Sequence, residues 1–419
     1  MTFRVHEGVL HAGPVSLADI AAAVGTPAYV YSGQAIAAQY AALQSAFPDA
    51  AVCYAVKANS NLGVLRFMHG LGAGFDIVSG GELQRVLAAG APPGAAVFSG
   101  VGKSVAEIDL ALKLGIGCFN VESEAELKRL ATQAELLESV APVAVRVNPD
   151  VDANTHPYIA TGLKESKFGV SPEEAQELYA LADRHPCLEV KGIASHIGSQ
   201  IHSPEPYLQA LECLLEITGR LDSGGTRVEH IDVGGGFGIA YGDEQALDLA
   251  ALGAAVTERM AGQPQRLVIE PGRFLTASAG VLLTRIEYLK PARSAGQRSF
   301  IVVDAAMNDL LRPSLYGAWH AVERVEAPSA EAEAGTWDVV GPICETGDFL
   351  ARDRELTVAA GDLLAVHTAG AYGMALSSNY NSRGRPAEVL VEGGKFRVVR
   401  HREHIGDQLR LERTPAEQE

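Results

Sequence analysis

Lys57 stands in the run Tyr54-Ala-Val-Lys-Ala-Asn-Ser-Asn61, where it ends a short apolar stretch. A lysine at the end of a buried strand directs its amine into the mouth of the sheet or barrel. There it can form a Schiff base with an aldehyde cofactor. Read alone, the pattern fits a surface lysine at a strand terminus at least as well. Gly234-Gly235-Gly236-Phe237-Gly238 follows another apolar run. Consecutive glycines expose backbone N–H groups, which makes either an anion cradle or a flexible turn. His196 lies in Ala194-Ser-His-Ile-Gly-Ser-Gln200. Its ring is suited to stacking on a cofactor and Ser199 to holding a phosphate, although a core histidine with a satisfied hydrogen bond has the same signature. Glu270 opens Glu-Pro-Gly-Arg273. A carboxylate beside a pyridine nitrogen keeps that nitrogen protonated and makes the ring an electron sink. A turn with a solvated ion pair is the plainer alternative. Cys344, in Gly341-Pro-Ile-Cys-Glu-Thr-Gly-Asp348, reads either as a proton donor or as a small buried residue. Arg312-Pro-Ser-Leu-Tyr316 and Gly370-Ala-Tyr-Gly373 also stand out.

The elements that must carry these residues are legible from periodicity. From about residue 50 to 275, short apolar runs alternate with longer segments of helical period. The expected strands are 51–56, 74–78, 95–98, 117–121, 143–147, 190–195, 228–233 and 266–269. Helical stretches such as 81–89, 105–114, 123–137 and 172–184 fill the gaps. Ser171 ahead of Pro172-Glu173-Glu174 supplies a capping hydroxyl and acidic first-turn residues. Eight strand-then-helix units with continuous apolar strands predict a closed (β/α)8 TIM barrel, with an open doubly wound sheet as the alternative. In such a barrel the active site lies at the carboxyl ends of the strands. Those ends read Lys57, Asp76, Ser99, Glu122, Arg146-Val147-Asn148, Ser195-His196, Gly234-Gly235-Gly236 and Glu270-Pro271-Gly272-Arg273. Nearly all are polar, charged or glycine, whereas random placement puts many such residues on helices.

After about residue 280 the pattern changes. Runs 281–290, 300–304, 337–340, 363–368 and 388–391 read as strands without long helices between them. A C-terminal β-rich domain is expected, with the Glu/Ala-rich stretch 323–335 as an exposed loop or short helix. Residues 28–31 look like a strand, so the N-terminal segment is expected to pack on that domain. The expected boundaries are 1–35 for this segment, 36–280 for the barrel and 281–419 for the β-rich domain.

The formal charge of −17 repels nucleic acid and anionic membranes, and no basic run offsets it. No apolar run is long enough to span a bilayer, and residues 1–20 lack the pattern of a signal peptide. The cysteines are Cys53, Cys118, Cys187, Cys213 and Cys344, odd in number, scattered and without a C-x-x-C pair. That suits a reducing cytoplasm and argues against a disulfide framework or a metal site.

Taken in order, Tyr54-Ala-Val-Lys-Ala-Asn59, Phe75-Asp-Ile-Val-Ser-Gly-Gly-Glu82, Ser166-Lys-Phe-Gly169, His196-Ile-Gly-Ser-Gln200, the glycine run, Glu270-Pro-Gly-Arg273 and Cys344-Glu-Thr-Gly-Asp348 resemble the diaminopimelate decarboxylase family. The likeness covers about residue 25 to 400. It implies an alanine racemase-like PLP barrel with a C-terminal β-sandwich or β-barrel domain. The activity it implies is conversion of meso-2,6-diaminopimelate to L-lysine and CO2, the last step of lysine biosynthesis, with pyridoxal 5′-phosphate (PLP) on Lys57. Racemases of the wider group place an arginine against the pyridine nitrogen. Glu270 at the matching position implies decarboxylation instead. The resemblance assigns PLP contacts to Lys57, Asp76, His196, Ser199, Gly235, Gly236, Glu270, Gly272, Arg273 and Tyr372. Arg273, Arg312 and Tyr316 would bind the distal carboxylate and Glu345 the distal ammonium, with Tyr372 also near the substrate. Cys344 would reprotonate the α-carbon. Cys344 and Glu345 would serve the partner subunit's site, which implies a homodimer. The rival readings are a PLP-dependent lysine, ornithine or arginine decarboxylase of the same fold, a non-catalytic PLP-binding protein, and a phosphate-ligand barrel without PLP.

Overall fold

The structure is a computed structural model that describes residues 2–152 and 166–412. The chain divides into two compact units. Residues Ala38–Ala240 with Gln245–Phe274 form one, and Met1–Ala37, Tyr241–Glu244 and Leu275–Glu419 form the other.

The first unit is a closed barrel of eight parallel strands. In chain order they are Ala51–Ala55, Gly74–Ile77, Ala96–Phe98, Cys118–Val121, Ala141–Arg146, Leu188–Ala194, His230–Asp232 and Arg266–Ile269. The last pairs with the first through Val268↔Ala51 and Ile269↔Val52, which closes the ring. The open-sheet alternative is thereby excluded. The strands are buried almost throughout, as apolar runs wrapped by helices require. Helices start cleanly because a serine precedes each of several. Ser79, Ser104, Ser123 and Ser171 accept from the backbone N–H of Glu82, Glu107, Glu126 and Glu174, at 3.2, 3.3, 3.2 and 3.2 Å. The recurring Ser-x-x-Glu spacing leaves a carboxylate at the barrel's carboxyl-end face each time, free to close a capping box or to reach elsewhere. Residues 104–107 and 171–174 close the box. Glu82 and Glu126 instead reach back to the N–H of Val78 and Glu122, at 2.7 and 2.9 Å.

The second unit is built on a mixed sheet of nine strands. Its main path runs Phe349–Val358, Glu333–Val340, Ser299–Val303, Gly280–Lys290, Ala28–Ser32, Ala387–Glu392 and Lys395–Arg400. Leu363–Val366 branches from Gly280–Lys290, and Val322–Arg324 pairs with Leu363–Val366 in turn. That long strand pairs with Ala28–Ser32, Leu363–Val366 and Ser299–Val303 along successive parts of its length. Leu10, Leu17, Ile20, Val30, Val281, Leu283 and Val389 pack into a common core. Stretch 323–335 forms no helix. Its ends enter the strands Val322–Arg324 and Glu333–Val340, because the sheet's hydrogen bonds outweigh the local Glu/Ala helix preference.

Candidate active site

Lys57 follows the first barrel strand on a single 3-10 turn, Val56–Ala58. The Tyr54 hydroxyl donates to the Asn59 carbonyl at 3.0 Å, and Asn61 caps the next helix by accepting from the Gly63 N–H at 2.8 Å. These bonds fix the turn, and the Lys57 amine is left at the carboxyl-end mouth of the barrel. There it lies 2.9 Å from Oδ2 of the buried Asp76. A cavity of about 470 Å3 opens at this point, lined by Lys57, Ser99, Asn120, Arg146, Ser195, His196 and Glu270 among others. Residues from the ends of separate strands are thus brought together.

The glycine run packs where side chains cannot go. A Cβ on Gly235 would fall 2.0 Å from the Glu270 carbonyl oxygen, and one on Gly236 would fall 2.2 Å from that of Gly198. The Gly234 N–H donates to Oδ1 of Asp232 at 2.8 Å, and the Gly235 N–H to Nδ1 of His196 at 3.2 Å. A backbone N–H only donates, so His196 Nδ1 is an acceptor. Burial, with Lys57 and Arg146 adding like charge, holds the His196 pKa well below the ordinary histidine value, so the ring is neutral. Arg273 donates from Nη2 to the Ser199 hydroxyl at 3.1 Å. Gly272 packs close to Ala55 and Ala58, its Cβ position being 3.1 Å from each of their methyl carbons.

Glu270 and Asp232 are both buried, and each feels the other's charge. Burial is the main cause raising both pKa values. For Glu270 the Asp232 and Asp76 charges add to it. Burial likewise pushes Glu82 up to about 7.

The wall formed by residues 99–103 is held by a buried knot of charges. Lys103 is 4% exposed and donates to the carbonyls of Gly100 and Asn120 and to Oε1 of Glu126, at 2.8, 2.7 and 2.6 Å. Glu122 accepts from the Gly100 N–H at 2.8 Å, from Arg146 at 3.1 Å and from the Gly169 N–H at 3.1 Å. Gly100 is therefore gripped at both its N–H and its carbonyl. Two cations, Lys103 and Arg146, balance two anions, Glu122 and Glu126.

In the second unit, Arg312 and Tyr316 bound a short helix, with Arg312 buried and Tyr316 half-buried. Cys344 and Glu345 sit exposed on the turn before Phe349–Val358. Asp348 ties this turn by accepting from the N–H of Ile343 and Met307, at 2.8 and 2.6 Å. The Cys344 N–H donates to Asn381 at 3.1 Å, and the Tyr380 hydroxyl donates to Glu345. Tyr372 is half-buried, with φ 55°.

The pyridoxal binding domain of the pyridoxal-dependent decarboxylases matches residues 33–277. A diaminopimelate decarboxylase of Pseudomonas aeruginosa is 54% identical over 406 residues, which covers 96% of this chain and 97% of that one. The chain belongs to the diaminopimelate decarboxylase family. Solved structures of the family share its fold. The Helicobacter pylori diaminopimelate decarboxylase complexed with L-lysine has a TM-score of 0.89 at 41% identity, covering 94% of this chain and 98% of that one. The M. jannaschii diaminopimelate decarboxylase in co-complex with L-lysine has a TM-score of 0.93 at 34% identity, covering 99% and 98%.

As a member of this family the chain is a pyridoxal-dependent enzyme, and its own residues fit the cofactor. An amine stands at the cavity. Glu270 Oε1, Asp76 Oδ1, Asn120 Oδ1 and Ser195 Oγ are buried without a hydrogen-bond partner among the described residues. A protonated ring nitrogen provides the donor that a buried carboxylate oxygen lacks. Among the described residues no group of side chains is arranged to hold a metal ion, and no helix is long and apolar enough to cross a membrane. Sequence reasoning misses Asp232 and Lys103. Asp232 lies one residue before the end of its expected strand, and a buried partner carries no local mark. Lys103 is separated from its carboxylate by 23 residues.

Proposed function

We infer that this enzyme removes CO2 from meso-diaminopimelate and releases L-lysine, with PLP held on Lys57. The observation that carries the reading is the Lys57 amine at the barrel mouth, against a buried carboxylate and in one cavity with Glu270. When bound, PLP supplies an aldehyde for the substrate amine and a protonated ring that accepts the electron pair left by CO2. Asp76 holds the Lys57 ammonium until the amine is needed. Glu270, supported by Asp232, keeps a proton at the ring nitrogen, since an added positive charge there offsets the strain of their own burial. His196, neutral and held by Gly235, offers a flat uncharged ring to the cofactor. Ser199, Gly235, Gly236 and Tyr372 hold the phosphate. Gly272 leaves room beside the first strand, and Arg273 braces Ser199.

Arg273, Arg312 and Tyr316 bind the distal carboxylate, and Glu345 binds the distal ammonium. Cys344 delivers a proton from Sγ to the α-carbon. The exposure of Cys344 and Glu345 supports their serving the partner subunit's site in a homodimer. Five free cysteines support a cytoplasmic location. Borohydride treatment of the holoenzyme should fix a phosphopyridoxyl group on the peptide carrying Lys57, read by mass. Label on another lysine rejects the assignment.

A further inference from the structure

The Arg312 guanidinium is held on two sides. Its Nη1 donates to Nε2 of His320, 3.0 Å away, and its carbon lies 4.3 Å from the centroid of the Tyr241 ring. His320 is fully buried, and its Nδ1 is 2.8 Å from the His367 carbonyl oxygen. A carbonyl only accepts, so Nδ1 carries the proton and Nε2 keeps the lone pair that Arg312 meets. The Tyr241 and His320 rings meet edge to face, 5.4 Å apart at 80°. Local chain geometry explains the meeting. The helix Arg312–Tyr316 ends at Gly317, whose φ of 61° and N–H bond to the Arg312 carbonyl reverse the chain and return His320 to Arg312. Glycine is needed there because the left-handed region costs other residues.

We propose that His320 is a specificity-determining positioning residue, which with Tyr241 sets the Arg312 guanidinium in one orientation to receive the distal carboxylate. The inference rests on the substrate reading above and adds the device that makes it selective. Arginine recognises a carboxylate as a flat fork, so its worth depends on how little orientational freedom is left to lose on binding. A neutral imidazole orients the guanidinium without cancelling its charge. An acidic partner in the same place would compete with the substrate's carboxylate.

The test is a double-mutant cycle on holoenzyme with meso-diaminopimelate. His320→Leu should raise KM about tenfold while kcat stays within about threefold, the pattern of lost ground-state binding. His320→Gln, which keeps an acceptor, should recover most of the loss. His320→Asn, too short to reach both partners, should not, and it carries the test if the leucine variant fails to fold. In an Arg312→Ala background the His320 substitutions should add almost nothing, because their effect passes through Arg312. Additive losses, an effect on kcat alone, or equal loss in the Gln and Asn variants would overturn the proposal. If Arg312→Ala itself leaves KM unchanged, the assignment of Arg312 to the substrate fails, and this proposal fails with it. If Arg312→Ala raises KM but His320→Leu does not, only the proposal fails.

Discussion

At the scale of single residues, the barrel mouth concentrates acids where burial makes ionisation costly. Asp76, Asp232 and Glu270 are all buried, and Asp76 pairs with the Lys57 amine. A bound cationic ring relieves that cost, so removing the Glu270 charge should act on the chemistry rather than on cofactor retention. Glu270→Gln is expected to keep PLP, seen by visible absorbance, while kcat falls by on the order of 10²-fold. An unchanged kcat would show that Glu270 does not govern the ring's charge. Substrate choice follows from what each ligand leaves unpaired. Lysine carries an ammonium but no distal carboxylate, so it satisfies Glu345 and strands Arg312. Arg312→Ala should therefore depress turnover of meso-diaminopimelate strongly and leave residual lysine activity unchanged or improved, and Glu345→Gln should harm both. Steady-state assays with both substrates decide it. Lys57 and Glu270, which the structure brings to one cavity, are legible in the sequence because each stands at the end of an expected strand. Asp232 is not, since nothing local distinguishes a buried aspartate that supports a neighbour from one that merely packs.

At the scale of elements, the alternation of apolar runs and helical segments was enough to place all the barrel strands to within a few residues, because parallel strands covered on both faces cannot hide their composition. The β-rich unit was less legible. Phe349–Val358 carries Arg352-Asp-Arg-Glu355 and escapes notice as a strand, since its charges lie largely on exposed or half-buried positions of a strand paired to Glu333–Val340. The Lys103 knot is likewise invisible until the third and fourth barrel strands stand side by side. It makes a stability prediction. Lys103→Met leaves Glu126 buried without its cation, and breaking such a pair costs about 3–5 kcal/mol. Urea unfolding of the cofactor-free protein should show a loss of that size. A change below about 1 kcal/mol would contradict this reading of the buried pair.

At the scale of the whole molecule, the proposed site is completed only by a second copy of the chain. Lys57→Ala and Cys344→Ala proteins should each be nearly inactive. When they are mixed through reversible dissociation, half the dimers are hybrids with one intact site, so about a quarter of the sites should recover. No recovery despite demonstrated hybrids would place both residues in one subunit's site. The central claim, however, is the reaction itself, and it depends on the distal-carboxylate residues and the barrel cavity acting on the same molecule. The most direct test is CO2 release by purified holoenzyme from meso-diaminopimelate, L-lysine, L-ornithine and L-arginine, with the amino-acid product identified. Release from meso-diaminopimelate with L-lysine as product is expected, at a kcat/KM on the order of 10⁴-fold above the other three. Comparable release from lysine, ornithine or arginine would contradict the account and place the enzyme with the basic amino-acid decarboxylases.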